Sequence, residues 1–319
     1  MKRQTIHLLL DNVSPQGGQP YHQAMMQDAK AWVEQANRSG DSFQLNVLES
    51  KGDREKQREQ VDQLRRESPP DSEDFVGISP TATASVDFYL PSLFRLDSDA
   101  AREALTVCIF LEPLSPSAIQ RYGQRRLFSA TPSQELMGRM QGEVIHRVHP
   151  APGNVLCMVG PPRSYPTRSR LRGAREFLEP KGYNIVAIIE SNWEGIGAEE
   201  AVVGWAGNIE TVDAAIAQND SMAAGMKAGL VRRGGGHIPV VGLDGMPFGK
   251  ALVDAGKLVA TVIQPNGVSA ALGTYHQLLT GAQGLSDLPA DRVIQSQPSC
   301  YPPLHTIQDA TTGRLKPRP

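Results

Sequence analysis

Short apolar runs recur along the whole chain, separated by stretches of helical periodicity. The runs are "TIHLLL" (5–10), "FQLNVL" (43–48), "DFVGI" (74–78), "LTVCIFL" (105–111), "NVLCMVG" (154–160), "NIVAIIE" (184–190), "AAIAQ" (214–218), "IPVVGL" (238–243) and "LVATVI" (258–263). Most are continuously apolar rather than alternating, the pattern of strands covered by helices on both faces of a parallel sheet. Between them the helical period predicts helices over 20–37, 53–66, 133–146, 167–178, 194–208, 220–232, 246–255 and 266–280. The class is α/β. In 319 residues, 40% of them hydrophobic, this many strand-helix units exceed one small sheet, so two doubly wound parallel-sheet lobes are predicted. The stretch "RLFSATPS" (126–133) is expected to cross between lobes. Segment 80–104 fits neither period well and is expected to hold a helix, and the tail "TTGRLKPRP" is expected to fray.

Charge and composition exclude several partners. Lys+Arg 32 against Asp+Glu 34 leaves a formal net charge of -2, too small a field to gather nucleic acid or an anionic membrane. The charged helix 53–66, "DREKQREQVDQLRR", mixes both signs around Val61 and Leu64, the composition of a solvated face. Cys108, Cys157 and Cys300 form an odd set without metal spacing, the first two inside apolar runs, so buried thiols and no metal site or cofactor are expected. No run approaches the roughly 18 apolar residues of a membrane span. The opening "MKRQTIHLLLDN" carries a run that is short for a signal-peptide core and that Asp11 stops, so it reads as a strand, with cytoplasmic residence if Met1 is the native start. The four residues ahead of that strand hold no helix-turn-helix DNA reader.

In open parallel sheets, ligands bind at the carboxyl ends of strands, where loops and helix N-termini converge. Asn219, Asp244 and Gln264 each stand at the end of an apolar run, and Trp193 lies just beyond "NIVAIIES". Each has a bland alternative. Asn219 or Asp220 caps the helix that follows, Asp244 before a glycine is a turn residue, Gln264 before Pro265 ends a strand, and Trp193 fills core.

Taken jointly, "AQND.MA.G", "VVGLDG" and "AGKL.ATV.Q" resemble the sugar-binding periplasmic proteins and LacI-type effector domains of the type I periplasmic binding protein superfamily, the ribose-binding branch above all. In that branch the Asn, Asp and Gln of these motifs hydrogen-bond the sugar, and here they lie 25 and 20 residues apart without insertion. "GPPRSYPTRSRLRGAREFL" (160–178) resembles the family segment in which an Arg on the first helical turn reaches the ligand, which implies Arg170, with Arg168 and Arg172 as fallback choices. The aromatic expected after the next strand falls on Trp193. In the amino-terminal lobe the family's Asn-Pro-Phe-Phe is replaced by "QPYH", which implies Gln19, Tyr21 and His22. His22 then stands where a ring usually stacks on the sugar, or is an exposed helix start. The Asp-Arg pair after the fourth strand is absent, and "FLEPL" offers Glu112 instead.

The resemblance implies two Rossmann-like lobes joined by a three-crossover hinge, lobe one over 1–130 plus 265–293 and lobe two over 131–264 plus 294–319. It also implies a monomeric solute-binding protein, not an enzyme, that captures a small sugar or polyol between its lobes and presents it to an ABC permease or membrane sensor. Such a protein would be periplasmic; the alternative is a cytosolic sugar-sensing regulatory domain without a DNA-binding headpiece. A glycosidase is the distant alternative, since Asp244 and Glu112 would supply its two carboxylates. No Ser-His-Asp signature accompanies them, and the Gly-rich "RRGGGH" (232–237) follows a helix rather than a strand.

Overall fold

The computed structural model describes residues 3–14, 19–67, 72–81, 86–94 and 105–307. By its internal contacts the chain divides into two compact units, Met1–Pro132 with Asn266–Ser296, and Ser133–Pro265 with Gln297–Pro319. The first unit runs β1 (Gln4–Leu10), α1 (Pro20–Arg38), β2 (Phe43–Glu49), α2 (Arg54–Glu67), β3 (Phe75–Ile78), α3 (Leu90–Leu93), β4 (Thr106–Phe110), α4 (Pro116–Tyr122) and β5 (Leu127–Ala130). The chain continues through the second unit as α5 (Gln134–Val148), β6 (Asn154–Val159), α6 (Tyr165–Leu178), β7 (Asn184–Glu190), α7 (Gly195–Gly204), β8 (Ala214–Ala217), α8 (Asp220–Arg232), β9 (Val240–Asp244), α9 (Pro247–Asp254) and β10 (Ala260–Ile263). It returns to the first unit for α10 (Val268–Thr280) and β11 (Val293–Ile294), then to the second for β12 (Ser299–Tyr301).

Each unit holds one six-stranded sheet, ordered β11-β5-β4-β3-β1-β2 in the first and β12-β10-β9-β8-β6-β7 in the second. All pairings among the described residues are parallel except β10 with β12. The central strands β3 and β4 are buried at every position, as their unbroken apolar runs require when helices cover both faces. In the first unit Tyr275 of α10 packs against Phe43 and Phe75, ring centroids 5.9 and 5.3 Å away, and donates its hydroxyl to the Glu73 carbonyl at 2.8 Å. In the second unit two apolar layers flank the sheet, one around Val144, Phe177 and Val241, the other around Leu156, Met226 and Val240.

Two sequence expectations need adjustment. The stretch 126–133 is more than a crossing: Leu127–Ala130 forms a fifth strand, paired with β4 from Val107↔Leu127 to Phe110↔Ala130. Four residues that include a serine give too short a run to register as a strand, although Ser129 is fully buried. In segment 80–104 the described residues hold two short helical turns, Val86–Phe88 and α3; 82–85, 95–104 and the tail 311–319 lie outside the described residues. The charged helix α2 buries Val61 and Leu64 as expected, together with Gln57. All three cysteines are free and buried, and burial pushes the Cys157 thiol up to about 12.

Candidate ligand-binding site

The second unit gathers its polar groups at the carboxyl ends of β6, β8, β9 and β10. Arg170, in α6, is only 4% exposed despite its charge. Its Nε donates to Gln134 Oε1 at 2.9 Å, and its two terminal nitrogens donate to the Gln218 carbonyl and to Gln264 Oε1. The helix that carries it packs closely on α5. A Cβ on Gly138 of α5 would stand 1.9 Å from the Arg170 carbonyl oxygen, and one on Gly173 of α6 would stand 2.0 Å from that of Glu135, so the two helices touch backbone to backbone. The fallback arginines point elsewhere: Arg168 is exposed and donates to the Arg163 carbonyl, and exposed Arg172 pairs with Glu135, its Nε 2.7 Å from the carboxylate.

Asp244 ends β9 with φ at +111°, a strained region for a residue with a Cβ. Its carbonyl accepts from the Gln264 N–H at 3.1 Å, which ties the ends of β9 and β10. The residue is 8% exposed, and its carboxylate accepts no hydrogen bond from the described residues. Burial holds this carboxyl well above the usual carboxylate range, with Arg170 pulling it down and Asp220 pushing it further up. Asp220 is itself fully buried and accepts from Thr261 Oγ at 2.6 Å and from the Met246 N–H at 2.8 Å; burial raises it to about 7. The lack of a side chain at Gly249 makes room for it, since a Cβ there would fall 2.2 Å from its Oδ2.

Trp193 has φ at +66° and lies across Gly160, where a Cβ would come within 2.1 Å of the indole. The Arg170 guanidinium stands 5.7 Å from its ring centroid, within cation–π range. Asn219 caps α8, its Oδ1 accepting from the Met222 N–H at 2.7 Å, while its Nδ2 donates to the Trp193 carbonyl at 2.9 Å. The capping role is therefore real, and it leaves one acceptor lone pair and one N–H of the amide unspent. Gln264, 4% exposed, receives Arg170 as described.

The first unit has its own strand-end cluster. His22, 4% exposed, is not the exposed helix start that its position allowed. Its Nε2 lies 2.9 Å from Ser79 Oγ, its Nδ1 is buried without a hydrogen-bond partner among the described residues, and burial lowers its pKa to about 4 against the opposing pull of Asp11. Tyr21, also buried, meets the imidazole edge to face, centroids 6.1 Å apart. Gln19 precedes α1 without capping it and donates to Asp11 at 3.4 Å. Glu112, 8% exposed, follows β4. Burial pushes the Tyr89 hydroxyl up to about 12, and the Asp11 and Glu112 carboxylates push the same way.

Sequence reasoning passed over Asp11, Ser79, Gln134, Gln141 and Gln218. Asp11 carried the signal that exposed Asn219, a polar residue directly after an apolar run, and was read only as the end of that run. Gln134 and Gln141 sit inside a helix, where nothing in the local pattern marks a glutamine as buried.

Three comparisons bear on this geometry. A family model described as "Periplasmic binding protein domain" matches residues 117–282, just over half of the chain. The chain belongs to this family. Its sequence is 28% identical over 158 residues to the ribose import binding protein RbsB of Escherichia coli (strain K12), covering 49% of this chain and 53% of that protein. It is 27% identical over 139 residues to the xylitol-binding protein of Mycolicibacterium smegmatis, covering 42% and 40%. The chain thus spans about half the length of the curated relatives it matches. Among solved structures, it resembles an ABC transporter periplasmic solute-binding protein from Actinobacillus succinogenes with bound D-allose, with TM-score 0.75, 19% identity and 97% and 98% of the two chains covered. The Caulobacter myo-inositol binding protein gives TM-score 0.74 at 18% identity, covering 93% and 92%. At such identities these two establish the fold, the two-lobed α/β architecture of periplasmic binding proteins. Among the described residues no helix is long and apolar enough to cross a membrane, and no cluster of three or more His, Cys, Asp or Glu is placed to hold a metal ion.

Proposed function

We propose that this protein is a solute-binding protein that captures a small sugar, a monosaccharide or polyol, and presents it to an ABC permease or a membrane sensor. The observation that carries the reading is the Asp244 carboxylate: buried, without a hydrogen-bond donor among the described residues, and flanked by Arg170, which acts on it electrostatically. Burying an acceptor unmatched is costly, and a sugar hydroxyl supplies the missing donor. Asn219, with one N–H and one lone pair unspent, and the Trp193 ring offer the other contacts a sugar needs, hydrogen bonds to hydroxyls and a flat apolar face for C–H groups. The named relatives, which bind ribose, xylitol, allose or myo-inositol, support this class. Gln19, Tyr21, His22 and Glu112 enter the proposal as a separate set of sugar contacts contributed by the first unit. A periplasmic, monomeric mature protein is part of the same proposal.

A thermal-shift panel of D-ribose, D-allose, xylitol, L-arabinose and myo-inositol tests it, because a ligand that binds only the folded state raises the melting temperature by mass action. At least one of these is expected to raise it. No shift across the panel at millimolar concentration would count against the sugar reading.

A further inference from the structure

Strands β8 and β9 pair at Ala215↔Val240 and Ile216↔Val241, and their ladder stops there. On the next rung stand Ala217 and Gly242, whose carbonyl oxygens both accept from a single side-chain nitrogen: Gln141 Nε2 lies 2.8 Å from the first and 3.1 Å from the second. A primary amide has two N–H groups, one for each carbonyl. The opposite orientation would set Oε1 against two acceptors with no proton between them, so the contacts themselves fix the flip. Gln141 lies on α5 and is fully buried, and its Oε1 has no partner among the described residues. The orphaned oxygen is a cost, set against a side-chain bridge that joins β8 to β9 beyond the last rung of their ladder.

The position of this clamp gives it meaning. Ala217 and Gly242 each stand two residues before a site group, Asn219 at the cap of α8 just past β8 and Asp244 at the end of β9. Two turns earlier on the same helix, Gln134 receives Arg170 Nε. One face of α5 therefore reaches the arginine and both diverging strands.

We propose that Gln141 is a positioning residue: by clamping the parted ends of β8 and β9 it sets the separation of Asn219 and Asp244, and so the affinity of the site. The proposal rests on the reading of those two residues as sugar contacts. The test substitutes Gln141→Met, which keeps length and volume but removes both donors, in the full chain. Without any sugar, amide exchange at Gln218, which donates to the Met158 carbonyl, and at Gln264, which donates to that of Asp244, is expected to quicken about tenfold, while Ala215, at the opposite end of β8, exchanges as in the parent. By calorimetry with D-ribose, D-allose and myo-inositol, whichever the parent binds is expected to bind about tenfold more weakly, and the loss shrinks when the same change is made in an Asn219→Ala background, since one of the aligned groups is then gone. Exchange that quickens everywhere or nowhere overturns the proposal, as does local quickening with unchanged affinity. A parent that binds none of the three sugars counts against the sugar reading, and the exchange pattern then decides the clamp alone. Should Gln141→Met fail to fold, Gln141→Asn, one methylene shorter, is put through the same measurements with the same expected and contrary results.

Discussion

The strand-end clusters of the two units stand on sheets of the same parallel architecture but are built from opposite chemistry. In the second unit a buried arginine organises the cluster, reaching Gln134, Gln218 and Gln264. In the first, the buried ionisable side chains at the strand ends are Asp11, His22 and Glu112, and no lysine or arginine among its described residues is buried. Burial is nonetheless the leading influence on the titrating groups of both. It drives His22 down to about 4 and Asp220 up to about 7, each toward its neutral form. The same physical cause thus gives these two groups opposite pH dependence. His22, whose folded pKa lies below its ordinary 6.5, contributes stability that is present above 6.5 and lost as pH falls toward about 4. Asp220, raised above its ordinary 3.8, contributes stability that is present below 3.8 and lost as pH rises toward about 7.

The largest effect that would sharpen this contrast is expected at Asp244. Asp244→Ala should abolish the sugar-induced thermal shift while the protein stays folded, and Trp193→Ala should do the same; if both variants still respond like the parent, the site lies elsewhere. Next comes acid stability. Between pH 6.5 and about 4 the His22 contribution amounts to about 3 kcal/mol, so over this range denaturant unfolding of the parent should lose about that much relative to His22→Gln, the opposing Asp220 contribution being common to both. An equal loss in both would break the proposed asymmetry of the two clusters. A smaller effect is expected from Asn219→Ala, which removes the cap of α8 and the tie to Trp193 and should lower unfolding free energy by about 1 kcal/mol, beyond any effect on sugar affinity. Smallest of all, Arg168→Ala and Arg172→Ala, both on exposed side chains, should change stability by no more than about 0.5 kcal/mol and leave the sugar response intact.

The fold was readable from the chain because continuous apolar runs and helical periodicity are local signals. Strands such as β1, β6, β7 and β9 fall within a residue or two of the runs that announced them, and α8 begins and ends where its pattern does. The signal failed where it was short, as at Leu127–Ala130, whose partners lie in β4 and β11 and whose identity as a strand depends on them. The site was less readable. Placing Asn219, Asp244 and Gln264 at strand ends follows from the runs alone, whereas selecting among Arg168, Arg170 and Arg172 does not, because the three differ in helix facing and not in type.

The sequence by itself determined the α/β class, the succession of strands and helices, and the polar residues standing at strand tips, because each is written in the spacing of neighbours along the chain. Only the tertiary structure decided that Arg170 turns inward to Gln134, Gln218 and Gln264, that His22 is buried against Ser79, and that Gln141 reaches across to Ala217 and Gly242. Those outcomes depend on which elements meet in space, and a buried polar group is satisfied by whatever backbone or side chain packs against it, often a hundred residues away, which no local pattern records.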